Sequence, residues 1–163
     1  MIDCKTRLCA LLFVASFPAV LPAQPSHGYL FIAPGGASGG GNTQATMHVG
    51  AGGEWVLGKG IGAGAEIGAL GPTSSFAENV LGVLALNGYY HFFHEERRFD
   101  PFVTGGYSLL FRSGRANTGN FGAGVNYWFV PKIGAKLEFR DHVWPADGSH
   151  IHYWGIRFGL DFR

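Results

Sequence analysis

Cysteine is scarce: the chain has only Cys4 and Cys9, both close to its start. Beyond them no disulfide, zinc–thiolate centre or thiol nucleophile can form. Long apolar runs are also missing. The stretch from Leu8 to Val20 is too short to cross a bilayer as a helix, and it runs into Pro22. After it no run of 18 apolar residues occurs; the nearest, 80–93, is interrupted by Asn87 and His91. Membrane-spanning helices are therefore disfavoured. Charge is low as well, at 14% of residues. Setting aside Asp3, Lys5 and Arg7 leaves ten basic and ten acidic residues, a balance with no footprint for nucleic acid. No phosphate loop is present: Gly35-Gly36 and Gly39-Gly40-Gly41 are not followed by Lys-Ser/Thr or by a helical pattern.

What is abundant is glycine, with 27 residues, together with aromatic side chains at 15%. This suits β-structure with close backbone approaches and does not suit a disordered tail. The N-terminus reads as a secretory signal peptide over residues 1–23, with Lys5 and Arg7 before the apolar run and a cut after Ala23. No cysteine stands at the cut to accept a lipid. Residues 24–163 then form one domain.

That domain alternates with period two. Trp154, Ile156, Phe158, Leu160 and Phe162 share one face, and Gly155, Arg157, Gly159, Asp161 and Arg163 the other. Residues 133–140, 121–129, 61–69 and 47–55 repeat the pattern: Ile133, Ala135, Leu137 and Phe139, for example, oppose Gly134, Lys136, Glu138 and Arg140. Residues 80–92, 102–112 and 29–33 are less regular. Eight strands result, most near the ~10 residues that a tilted membrane strand needs. Strands in lipid must close on themselves so that no backbone group is left unpaired. The fold class predicted is all-β: an eight-stranded antiparallel up-and-down transmembrane β-barrel.

The links alternate in length. Gly58-Lys59-Gly60 and Val130-Pro131-Lys132 are tight, and 94–100 is longer and charged. On the other side 34–43, 71–79, 113–118 and 143–149 read as Gly/Ser/Asn/Pro-rich loops. With the N-terminus in the periplasm, the short links face inward and the long ones outward. Trp55, Tyr90, Phe92, Tyr127, Phe129 and Phe162 mark one aromatic girdle; Tyr107, Phe111, Phe121 and Trp154 mark the other. A water-soluble sandwich would turn the apolar face inward instead. The glycine-heavy polar face favours the narrow interior of an eight-stranded barrel.

The signal peptide, the alternating strands, Tyr89-Tyr90-His91-Phe92 leading to Phe99-Asp100-Pro101-Phe102-Val103, and Gly105-Gly106-Tyr107 together resemble the OmpA-like outer-membrane β-barrel family. Leu137-Glu138-Phe139-Arg140 and the aromatic last strand add to the likeness. The resemblance implies insertion by the outer-membrane assembly machinery, which reads a terminal aromatic; here Phe162 is penultimate. It implies a place in the bacterial outer membrane, among its lipids and lipopolysaccharide, for a barrel taken as a monomer. A barrel without a peptidoglycan-binding domain is expected, so the resemblance does not imply tethering to the cell wall.

The inward face is expected to carry Glu54, Glu66, Lys136, Glu138, Arg140, Arg157 and Asp161, paired across strands because unpaired charges in a narrow lumen are costly. Such a network would fill the lumen; the alternative is a gate for small solutes or ions. The histidines His27, His48, His91, His94, His142, His150 and His152 read as solvated loop residues. A metal on His142, Asp147, His150 and His152 is the competing possibility. A lipid-A-modifying enzyme would need His142 or His152 beside Ser149 or Ser108, oriented by Glu66 or Glu138, but no His-x-Ser stands on a strand face. The expectation is a non-enzymatic barrel with a structural or surface-interaction role and no cofactor.

Overall fold

The computed structural model describes residues 26–92, 98–146 and 149–163. The proposed signal peptide lies outside the described residues. Eight strands follow in order: β1 (His27–Gly39), β2 (Asn42–Gly58), β3 (Ile61–Pro72), β4 (Leu81–His91), β5 (Phe99–Phe111), β6 (Arg115–Val130), β7 (Ile133–Ala146) and β8 (Ser149–Phe162). Each pairs antiparallel with its neighbour in sequence, and β1 pairs with β8, so the sheet is a closed barrel.

Several strands run further than the sequence reading places them, and their links are correspondingly shorter. β1 runs 13 residues, well past 29–33, and most of the loop expected at 34–43 is strand. Only Gly40 and Gly41 turn the chain, with φ of 58° and 85°. Two consecutive positive φ values make the tight hairpin whose twist matches its strands. Glycines there signal close approach rather than a flexible loop. At Gly35 a Cβ would strike the Trp154 carbonyl oxygen and come within 2.6 Å of the Gly155 Cα. Likewise the loop expected at 71–79 is β3 to Pro72, then a 3-10 turn (Thr73–Ser75) and one helical turn, α1 (Phe76–Asn79). The loop expected at 113–118 is mostly β6.

The alternation decides which side faces out. Leu160 is 52% exposed and Phe139 45%, whereas their neighbours Asp161 and Arg140 are 0% and 1% exposed. Every aromatic of both girdles points outward. This inverts a water-soluble protein, in which large apolar patches are covered. Inside, large side chains find room because glycine lies opposite them. A Cβ at Gly52 would meet the Tyr29 ring at 2.5 Å, one at Gly50 the Phe31 ring at 2.7 Å and one at Gly124 the Phe102 ring at 2.8 Å. Small and large residues thus alternate around the interior, as a narrow barrel requires.

The β1–β8 seam closes the ring, and Pro34 within it has no N–H to donate. Gly35→Val is expected to destabilise this seam by about 2 kcal/mol or more, the usual scale of forced overpacking. A urea titration of the refolded barrel, followed by its heat-modifiable gel mobility, measures the loss; an unchanged midpoint contradicts the close-approach argument.

Candidate functional site

The inward face places a dense polar assembly along the barrel axis. All seven charged residues expected there are buried: Glu54, Glu66, Lys136, Glu138, Arg140, Arg157 and Asp161 are each at most 3% exposed. Their partners are not simply the cross-strand neighbours. Glu138 stands opposite Arg157 in register, yet Arg157 reaches across the lumen to Glu66 on β3. Its two terminal nitrogens lie 2.7 and 2.9 Å from the two carboxylate oxygens, a bidentate pair. Glu66 also accepts from the Tyr29 hydroxyl at 3.1 Å, and the Tyr29 and Tyr89 hydroxyls lie 3.0 Å apart. The Arg157 guanidinium sits 4.3 Å above the centre of the Phe31 ring.

Glu138 instead accepts from Arg140, two residues along the same strand. Arg140 also donates to Asn120 at 2.8 Å. Toward the tight turns, His91 bridges two carboxylates, with Nε2 2.6 Å from Glu54 and Nδ1 2.9 Å from Asp100. Lys136 lies 3.9 Å from Asp161 and over the faces of Tyr29 and Phe102, at 4.1 and 4.8 Å from the ring centres. The ammonium is thus enclosed by one carboxylate and aromatic faces.

The histidines are the main correction to the sequence reading. His27, His48, His91 and His142 are buried in the lumen rather than solvated in loops. Strand parity carried the signal. His48 shares a face with Glu54, and His142 with Arg140, because residues two apart on a strand point the same way. The His48 and His142 rings flank the Arg157 guanidinium at 3.5 and 3.4 Å. His152 pairs with Asp141 at 2.7 Å, and His150 is exposed; His94 and Asp147 lie outside the described residues. Among the described residues no group of three or more His, Cys, Asp or Glu is arranged to hold a metal.

The structure does bring His142 and Ser108 together, with Nδ1 3.1 Å from the hydroxyl oxygen. That oxygen also accepts from Asn120 Nδ2 at 2.8 Å, and Ser108 is fully buried. The pair faces the packed interior. A cleft within the barrel, between His48, Leu70, His142, Tyr153 and Arg157, measures about 10 Å³. That is at the lower limit for one water molecule, ~10–15 Å³.

Arg157→Leu leaves Glu66 buried without its cation. The expected cost is about 3–5 kcal/mol, the scale for breaking a buried pair from one side. Replacing both partners, Arg157→Leu with Glu66→Leu, is expected to recover part of it. Urea unfolding of the two variants in detergent or lipid decides: equal destabilisation by both shows that the two residues do not act as a pair.

No family model matches the sequence, and no curated protein matches it in sequence. Solved structures do resemble it. The N-terminal β-barrel domain of OprF from Pseudomonas aeruginosa superposes with a TM-score of 0.63 at 17% identity, over 86% of this chain and 98% of that one. Neisserial surface protein A gives 0.67 at 10% identity, over 86% and 97%. A de novo designed transmembrane β-barrel gives 0.52 at 15% identity, over 85% and 96%. What is shared at these identities is the fold. It is that of the small outer-membrane barrels, the OmpA-like architecture, with an apolar belt placed for the lipid of the bacterial outer membrane.

Proposed function

We propose, for this eight-stranded outer-membrane barrel, a structural and surface-interacting role with the lumen plugged by its own side chains. One observation carries the reading: the interior is occupied by interlocked charged and aromatic groups, and the cleft among them is about 10 Å³. An ion crossing this interior would have to displace Arg157 from Glu66 and Lys136 from its aromatic enclosure. Eight strands leave an interior that side chains just fill.

The protein is read as non-enzymatic. A nucleophile for lipid chemistry must reach a substrate bond, and the Ser108–His142 pair is sealed inside the wall. A surface role then falls to the rim, where β1–β2, β3–β4, β5–β6 and β7–β8 are joined.

Planar-bilayer recording tests the closed lumen. The expected outcome is no resolved conductance steps for the wild-type barrel at physiological salt. Steps that change in size on neutralising Arg157 or Glu138 would replace this reading by a narrow channel. Altered lipid A mass on overexpression, lost with His142→Ala, would replace it by an enzyme.

A further inference from the structure

The loop side of the barrel carries very little positive charge. Of the twelve Lys and Arg residues, Lys59, Arg98, Lys132 and Arg163 lie on the tight-turn side, at or next to the links and the chain end, and Arg97 lies outside the described residues. Lys136, Arg140 and Arg157 are in the lumen, and Lys5 and Arg7 lie near the N-terminus. That leaves Arg112 and Arg115, both exposed and both at the β5–β6 turn, Arg112-Ser113-Gly114-Arg115.

These two arginines edge a groove of about 660 Å³ on the outer wall. Its floor is Leu84, Leu109 and Phe111, with Arg112, Ser113, Gly114 and Arg115 along the rim. Phe111 and Arg115 are register partners, so Arg115 projects beside an outward aromatic of the upper girdle. Arg112 is oriented by the connection between β3 and β4: its Nη1 donates to the Asn79 side-chain oxygen at 3.1 Å and its Nη2 to the Glu78 backbone carbonyl. Both partners are neutral, so they fix the guanidinium without cancelling its charge. Glu78 is the one carboxylate on that connection, and it meets Arg112 through its main chain. The site therefore has a cationic edge beside an outward aromatic and an apolar floor next to it.

We propose that this groove binds a phosphorylated glycolipid of the outer leaflet, a lipid A. A phosphate would sit on Arg112 and Arg115, and acyl chains would lie along Leu84, Leu109 and Phe111. Guanidinium groups match phosphate by paired N–H donors, and the protein's apolar wall supplies the contact for the chains. The proposal rests on the outer-membrane reading and adds to it a place and a headgroup chemistry. It also explains why the loop side gathers its two arginines on one hairpin while the other links stay neutral or acidic.

The test uses the mature barrel in phosphatidylcholine nanodiscs doped with lipid A, dephosphorylated lipid A or phosphatidylglycerol. Native mass spectrometry after extraction reads the retained lipid. Wild-type protein is expected to retain lipid A over its dephosphorylated form by about tenfold, the scale of one to two arginines at a charged headgroup. R112Q/R115Q should lose that preference, and K59Q/K132Q on the opposite side should keep it. The proposal is overturned if the double variant keeps the preference, if wild type shows none, or if phosphatidylglycerol is retained as well as lipid A. Should R112Q/R115Q fail to fold, the wild-type comparison of the phosphorylated and dephosphorylated lipids decides alone. Heat-modifiable mobility separates the two levels: a folded barrel without lipid preference sinks only this site, whereas a chain that never shows the compact form sinks the barrel reading itself.

Discussion

In lipid a backbone N–H or C=O has no water to bond, and each one left unpaired costs several kcal/mol. A sheet meets that demand only by having no edge. Here the demand falls on the pairing of β1 with β8, which closes the ring between the first and last of the described strands. The seam runs in a single register from Gly28 opposite Phe162 to Ser38 opposite His152. It crosses Pro34 and the point where Gly35 and Gly155 approach most closely. Everything else in the molecule presupposes this ring: the outward belt, the enclosed charges and the clustering of links at two ends.

Closure creates a second problem, which the interior solves by size and charge together. An eight-stranded ring is too narrow for two large side chains at the same level. Glycines therefore stand beside Tyr29, Phe31 and Phe102, and the rings fill the space that the missing Cβ atoms leave. Charged groups enter the same space only in company. Glu66 is held by Arg157 and Tyr29, Glu54 by His91, and Lys136 by Asp161 and aromatic faces. Removing one member strands another away from water, so the network specifies one arrangement of the eight strands as well as filling the hole.

The two ends of the barrel differ in chemistry. The tight-turn end has Lys59, Arg98, Lys132 and Arg163 spread around it. The loop end confines its arginines to one hairpin beside an apolar groove. A molecule inserted across an asymmetric membrane meets different lipids at its two rims, and this uneven distribution of charge is the feature of the exterior that is not accounted for by the fold.

The sequence by itself determined the strand number and the antiparallel order. Period two is a local property, so Arg140 and Phe139 must face opposite ways wherever the strand goes. Only the tertiary structure decided who pairs with whom. Residue 157 and residue 66 lie on strands far apart in the chain, and the distance across the lumen depends on the curvature and stagger of the whole ring. The same holds for the glycines at 35 and 36, which look like a loop in isolation and are strand because Trp154 lies against them. It holds also for His48 and His142, whose parity placed them inward but whose burial against Arg157 depended on the barrel being closed.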